Sequence, residues 1–148
     1  MNNCVFCEIT AGVRDPELRV YEDEDVIAQM SLHQKPGNHG HVLVLPRDHI
    51  QNIYDMPDAL NTPLMAALRL LSRAVKRAFA AEGIHIRQNN ELAAGQDVFH
   101  LHFHIVPRYG DDAFDTTSYE LLSLARRKEL AERLKPMVER ESKLAPPV

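Results

Sequence analysis

The sequence lacks the features that mark secreted and membrane proteins. Among its 148 residues it has only two cysteines, and no apolar run approaches the roughly 20 residues that cross a bilayer. The stretch from Met1 to Thr10 contains no basic segment followed by an apolar one, as a signal peptide would. We therefore expect a soluble, cytoplasmic protein that does not associate with a membrane.

An excess of positive charge is also absent. The formal net charge is -4, whereas a protein that binds a nucleic-acid polymer neutralises many phosphates with a broad basic surface. The charge therefore argues against a nucleic-acid polymer as partner. It leaves room for a local site that binds one small nucleotide.

No repeat, low-complexity stretch or Gly/Ser-rich linker divides the chain. A chain of 148 residues with 45% hydrophobic residues has the size of one domain, which can bury one core without disulfide bonds. We expect a single domain over residues 1–148 whose last residues, from Ala145 to Val148, form a loose tail.

The hydrophobic pattern predicts both strands and helices. The expected strands are Leu18–Tyr21, Val26–Met30, His41–Leu45, Ile84–Asn89 and Val98–Val106. Apolar residues at helical spacing predict a long helix that Thr62 caps and Gly83 ends. A second helical region is expected over roughly Tyr119–Leu134. One long helix between strand pairs, with helix again at the end, predicts an α+β fold with an antiparallel sheet.

The most informative segment runs from Phe99 to Val106 and contains three alternating histidines. Because side chains alternate across a strand, His100, His102 and His104 are expected to face one side while the intervening apolar residues pack into the core. Three core histidines in register are hard to explain, since each would need its own hydrogen-bond partner. A metal site and nucleophilic catalysis both stay open, because neutral imidazole is a common ligand and also titrates near neutrality.

Two further observations bear on a metal. A metal-centred hydrolase normally also needs carboxylate ligands, and no Asp or Glu lies inside the histidine segment. The two cysteines form the pair Cys4-Val5-Phe6-Cys7. In a reducing compartment this spacing indicates half of a metal site or a redox pair more often than a structural disulfide.

The run His-Leu-His-Phe-His-Ile-Val resembles the pattern of the histidine triad (HIT) family. Residues 21–26, residues 40–49 and the pair Gly95-Gln96 look like further blocks of the same family, and Cys4-Val5-Phe6-Cys7 resembles the opening of its zinc-bearing prokaryotic members. Spaced blocks in combination are more specific than the triad alone. The resemblance implies a HIT-like core over about residues 4–108, and a C-terminal helical extension follows over about 117–144.

The resemblance also implies a function. By this resemblance we expect a homodimeric nucleotide hydrolase or nucleotidyl transferase. It would act at the α-phosphate through a covalent intermediate on His102. His104 and His41 would stabilise charge on the phosphoryl oxygens, Gln96 would contact the bridging or leaving oxygen, and Asn89 would position ribose and phosphate. The local alternatives are that Asn89 only caps a strand end and that Gln96 only serves the adjacent turn.

For the cysteine pair, the resemblance supplies His49 and His100 as partners of Cys4 and Cys7. Two thiolates and two imidazoles form a closed tetrahedral set that suits a structural zinc ion. Such a site leaves no water to activate. Its expected role is to pin the N-terminal segment to the catalytic segment.

Two positions depart from the family pattern. Where many relatives end a strand in Leu-Asp, this chain has Met30-Ser31, so the ribose-binding acid is missing or displaced. Ser31 or His33 is the candidate replacement. Asp97 stands where one branch has a Ser that relays a proton to the leaving group. Three functions therefore stay open: a dinucleoside polyphosphate hydrolase, a nucleoside phosphoramidate hydrolase, and a nucleotide-binding regulatory module with little turnover.

Overall fold

The computed structural model describes residues 3–145. Within these residues the strands are β1 (Arg19–Glu22), β2 (Val26–Met30), β3 (His33–Gln34), β4 (Val42–Pro46), β5 (Gly83–Gln88), β6 (Phe103–Arg108) and β7 (Glu120–Leu121). Five of them form an antiparallel sheet in the order β1-β2-β4-β6-β5, and β3 pairs with β7 in a second, two-stranded sheet.

The helices are α1 (Val5–Thr10), α2 (Asn61–Ala78) and α3 (Leu124–Leu144), with short 3-10 turns at Pro16–Leu18, Ile53–Asp55, Asp58–Leu60 and Leu92–Ala94. This arrangement confirms the predicted α+β class, with its antiparallel sheet, long central helix and C-terminal helix. In the part of the chain that the structure describes, no helix is both long and apolar enough to span a membrane.

The two faces of the main sheet are covered differently. On one face α2 and α3 pack against Val42 and Val44 of β4, and this cluster forms the larger core. On the other face Leu43 and Leu45, which alternate with those valines, pack against α1. Because α1 is short, it covers only part of this second face, and the candidate site lies there.

The histidine strand predicted over Val98–Val106 begins later than expected, because β6 starts at Phe103. The backbone N–H of Leu101 donates to the carbonyl of Ile50 at 2.6 Å, a contact outside the sheet ladder. His102 therefore lies in the extended segment that leads into β6 rather than on the strand itself.

The helix boundaries also differ from the prediction. The long helix begins at Asn61 and has no side-chain cap, and it ends at Ala78, where Ala80 takes a left-handed conformation with φ of 51°. The last helix begins at Leu124 and is capped by Ser123, whose hydroxyl accepts from the N–H of Arg126. It continues to Leu144 past an internal proline. The predicted loose tail lies outside the described residues, apart from Ala145.

Candidate active site

His102 is buried and its ring is held in one orientation. Its Nδ1 lies 2.7 Å from the backbone carbonyl of His100. Since a carbonyl oxygen only accepts, Nδ1 carries the proton and Nε2 keeps its lone pair. Burial lowers the pKa of His102 below its ordinary value of 6.5. The ring is therefore neutral near pH 7, which is the form a nucleophile needs.

His41 and His104 form a second, linked pair beside His102. Nδ1 of His41 donates to the carbonyl of His33 at 2.7 Å, so Nε2 of His41 accepts from Nδ1 of His104 at 2.9 Å. The ring centroids of His102 and His104 are 4.9 Å apart. Burial lowers the pKa of His41 to about 4, and burial together with the neighbouring histidines lowers that of His104 further.

These three rings line a pocket of about 390 Å³ on the face of the sheet that α1 partly covers. Val5, Phe6, Ile9 and Leu43 form an apolar wall on one side of the rings. A pocket of this size with an apolar wall and a few convergent polar groups is typical of a small-molecule site.

The structure brings two of the three predicted substrate-binding residues to this pocket. Ser31 is buried in its wall, and Asn89 lines it while donating to the carbonyl of Gly95 at 3.2 Å. Gln96 is 1% exposed and its amide is already engaged with the protein. Its Oε1 accepts from the N–H of Glu91 at 2.7 Å, and its Nε2 donates to the carbonyls of Gln51 and Val98 at 2.7 and 3.1 Å.

Asp97 lies at the mouth of the pocket. Its Oδ1 is 4.0 Å from Nε2 of His102, and its side chain is 78% exposed. The carboxylate is thus within reach of a group attached to a phosphorus atom bound at His102. This placement makes the departure at residue 97 relevant to the chemistry, as its position beside Gln96 suggested.

The sequence did not predict several pocket residues, among them Gln29 of β2, Arg87 of β5 and Tyr119, which comes just before β7. Gln29 and Arg87 belong to one row across the sheet, since Gln29 pairs with Leu43, Leu43 with His104, and His104 with Arg87. Cross-strand partners project from the same face. The strand patterns gave no sign of this row, because strand order and register are long-range properties.

The four predicted metal ligands come together at the edge of the pocket. Nδ1 of His100 lies 3.6 Å from both Cys4 Sγ and Cys7 Sγ, and Nδ1 of His49 lies 3.2 Å from Cys7 Sγ. The four ligand atoms all lie within 4.8 Å of one another. With bonds of about 2.3 Å to sulfur and 2.1 Å to nitrogen, a tetrahedral zinc ion fits such spacings.

The protonation chemistry of the cluster also suits a zinc ion. Nε2 of His100 contacts the carbonyl of Pro46 at 3.0 Å, which leaves Nδ1 as the free ligand nitrogen. Burial and the neighbouring Cys4 raise the pKa of the Cys7 thiol to about 11, and a bound dication would favour the thiolate. Within residues 3–145 this is the one cluster of at least three potential metal ligands, and neither His102 nor His104 belongs to it.

The chain is similar to proteins of one known family. The HIT domain family model matches residues 14–111. Protein hit of Bacillus subtilis is 44% identical over 108 residues, which cover 73% of this chain and 72% of the relative. Adenylylsulfatase HINT3 of Arabidopsis thaliana is 36% identical over 107 residues, 72% of this chain and 53% of the relative. Adenosine 5'-monophosphoramidase HNT1 of Saccharomyces cerevisiae is 30% identical over 105 residues, which cover 71% of this chain and 62% of the relative.

Solved structures agree over nearly the whole chain. A Hit-like protein from Bartonella henselae superposes with a TM-score of 0.82 at 36% identity, covering 93% of this chain and 97% of that one. A Zn-bound histidine triad family protein from Mycobacterium smegmatis superposes with a TM-score of 0.81 at 30% identity, and the match covers 97% of this chain and 98% of that one.

The chain therefore belongs to the HIT family, as the sequence resemblance implied. The comparisons confirm the expected enzyme class, a HIT-family nucleotide hydrolase or nucleotidyl transferase, without specifying the substrate. The expected zinc is supported by both the Cys/His cluster and the Zn-bound relative.

Proposed function

We propose that the protein cleaves small nucleotides, such as dinucleoside polyphosphates, at the α-phosphate through a covalent nucleotidyl intermediate on His102. The observation that carries this proposal is the orientation of the His102 ring. Its Nδ1–H is fixed on a carbonyl at 2.7 Å, and the nucleophilic nitrogen is left free beside the pocket. A neutral, oriented and partly desolvated imidazole is an activated nucleophile.

The reaction has two displacements. Nε2 of His102 forms a bond to phosphorus while the bond from phosphorus to the leaving group breaks, and the ring becomes a phosphorylated imidazolium. Water then attacks phosphorus, loses a proton to solvent, and the electron pair of the N–P bond returns to Nε2. Throughout, the carbonyl of His100 accepts from Nδ1 and stabilises the positive ring.

The other predicted residues support this chemistry from fixed positions. His104, held by His41 at 2.9 Å, lines the same pocket, where its ring gains a second proton once an anionic phosphate is bound and donates it as a hydrogen bond to a phosphoryl oxygen. Asn89 and Ser31 line the pocket where the ribose would lie. Gln96 acts differently from the direct contact that the resemblance implied. Its three backbone hydrogen bonds shape the loop that carries Asp97, so we propose an indirect role for its amide.

A nucleoside phosphoramidate is the second candidate substrate class, because the carboxylate of Asp97 lies 4.0 Å from the nucleophilic nitrogen. An amine leaves phosphorus only after it gains a proton, and a nearby carboxyl group can relay one. The relative HNT1 is named as an enzyme for such a compound. The two classes differ in leaving group but share the nucleophile.

Three broader expectations complete the proposal. We propose that the chain is one HIT domain with a core over about 4–108 and a helical extension over about 117–144. We also propose that it forms a homodimer. A cytoplasmic location is supported by the free thiols of Cys4 and Cys7, which a reducing compartment keeps available for zinc.

The test is to trap the intermediate. Wild-type protein is mixed with a nucleotide radiolabelled at the α-phosphate, quenched rapidly and digested. We expect an acid-labile label on the peptide that spans Phe99–Arg108, and none in His102→Ala. Inversion at phosphorus in a single direct displacement by water would contradict the proposal, because two displacements give retention.

A further inference from the structure

The side chain of Arg87 is a cation in the catalytic pocket and has no carboxylate partner among the residues that the structure describes. Three arginines line the pocket, and two of them are paired: Arg14 with Glu8 at 2.7 Å and Arg127 with Asp15 at 3.3 Å. No ion pair to Arg87 occurs among residues 3–145, and its buried Nε has no hydrogen-bond partner there. A buried donor without a partner is unfavourable, so a ligand that supplies an acceptor at this position is favoured.

The sheet register places Arg87 directly beside the reacting centre. It is the cross-strand partner of His104, and both side chains project into the pocket. Because Arg87 remains positive at any physiological pH, it contributes charge that the buried, neutral histidines do not. Its positive charge also helps to lower the pKa values of His41, His102 and His104.

Tyr119 holds the guanidinium in place. Its hydroxyl accepts from Nη2 of Arg87 at 3.2 Å, and its ring centroid is 6.0 Å from that of His41. The segment that carries Tyr119 is anchored on both sides. Lys35 donates to the carbonyl of Thr117 at 2.8 Å, and His39 contacts the carboxylate of Glu120 at 2.6 Å.

The row across the sheet gives the pocket two unlike ends. From His104, one direction leads to Leu43 and the apolar wall that it forms with α1, and the other leads to Arg87. A nucleoside brings a flat apolar base, so the apolar end suits it. With the α-phosphate at His102, the group that leaves phosphorus then points towards Arg87 and Tyr119.

We infer that Arg87 and Tyr119 form an anion subsite for the leaving group, so that the enzyme prefers nucleotides whose leaving group is a phosphate or sulfate over those that release a neutral amine. This inference rests on the proposed function and adds the class of leaving group. As the bond from phosphorus breaks, the leaving oxygen takes the electron pair, and the fixed guanidinium stabilises that charge without transferring a proton. An amine gains nothing from this cation.

The test compares two substrates that share the adenylyl group, adenylyl sulfate and adenosine phosphoramidate. Arg87→Met should lower kcat/KM for the sulfate by about 100-fold, as loss of one fixed charge stabiliser does, and leave the phosphoramidate nearly unchanged. Arg87→Lys should recover part of the loss, and Tyr119→Phe should show a smaller loss in the same direction. Arg73→Met, which removes an exposed arginine from α2, is the matched control and should change neither.

Equilibrium binding of ADP and AMP separates failure of this inference from failure of the proposed function. ADP carries a β-phosphate where the leaving group would lie. Arg87→Met should therefore weaken the binding of ADP and leave the binding of AMP unchanged. Equal weakening of both nucleotides, or equal losses for both substrates, would assign Arg87 to the α-phosphate and overturn the leaving-group subsite. If the wild type cleaves neither these two substrates nor a dinucleoside polyphosphate, the proposed function is wrong, and the comparison of ADP with AMP still decides the subsite.

Discussion

The backbone of His100 orients the ring of His102, while the ring of His100 faces the sulfurs of Cys4 and Cys7. The carbonyl oxygen of His100 lies 2.7 Å from Nδ1 of His102. Nδ1 of His100 lies 3.6 Å from each of the two sulfurs. One residue thus joins the metal cluster to the nucleophile. The connection is through the peptide group between His100 and Leu101, whose N–H donates to the carbonyl of Ile50, so the main chain holds this group independently of a metal ion.

Loss of zinc should therefore lower stability more than it lowers the chemical step. Cys7→Ser should reduce zinc content and destabilise the protein by about 3 kcal/mol, in the range of large single-site losses, because the cluster ties α1 to the segment before β6. Metal analysis and thermal unfolding check this, with kcat measured at a temperature where the variant is folded. Less than about half an equivalent of zinc in the purified wild type would count against a native tetrahedral site.

Replacing the two pocket histidines should have unequal effects. His102→Ala should lower turnover by about 10⁴-fold or more, because the remaining groups bind charge but form no covalent intermediate. His104→Ala should cost about 100-fold, the size expected for a group that only stabilises charge. Single-turnover rates measure both, and an unchanged zinc content in each variant shows that the fold is intact. If His102→Ala keeps most of its activity, the residue is a binding group.

The buried pair of His41 and His104 should make the fold sensitive to acid. The folded-state pKa of His41 is lowered from 6.5 to about 4, so between these values the unfolded chain binds a proton that the folded chain does not. Stability is therefore lost as pH falls from 6.5 towards 4, by up to about 3 kcal/mol for this group. Urea unfolding across this range should show a shallower pH dependence for His41→Gln. Equal slopes in variant and wild type would remove His41 as the cause.

Asp97 should matter most where the leaving group needs a proton. We expect Asp97→Asn to lower turnover of adenosine phosphoramidate by about 100-fold, the contribution typical of general acid–base catalysis. Turnover of adenylyl sulfate should change little, since a sulfate leaves as an anion. Asp111→Asn changes an exposed aspartate whose side chain makes no hydrogen bond or ion pair within residues 3–145, and it serves as control. Equal losses for both substrates would point to substrate binding instead.

The proposed homodimer predicts a molar mass close to twice 16.8 kDa in solution. The outer strand β5 pairs with β6 on one side only within the described residues, and its Ile86 is 47% exposed. Light scattering at micromolar concentration measures the mass directly. A value of 16.8 kDa would show that the chain is a monomer.

Local patterns predicted the parts of the site that neighbours in the sequence determine. The alternation around His102 predicted a row of three histidines, and the spacing of Cys4 and Cys7 indicated half of a metal site or a redox pair. The resemblance to the HIT family then supplied His102 as the nucleophile. The same alternation extended the strand too far, because the contact of Leu101 with Ile50 comes from a distant loop. Arg87 had no local signal at all, since its role depends on the register that sets it opposite His104.

Residues from both ends of the described chain meet at the pocket. Phe6 and Ile9 of α1 form part of its apolar wall, whereas Tyr119 and Arg127 come from the C-terminal third of the sequence. Loop closure between such distant segments is entropically costly, so contacts of this kind form late in folding. The pocket is therefore complete only once α1 and the segment that carries Tyr119 and Arg127 have both docked on the sheet.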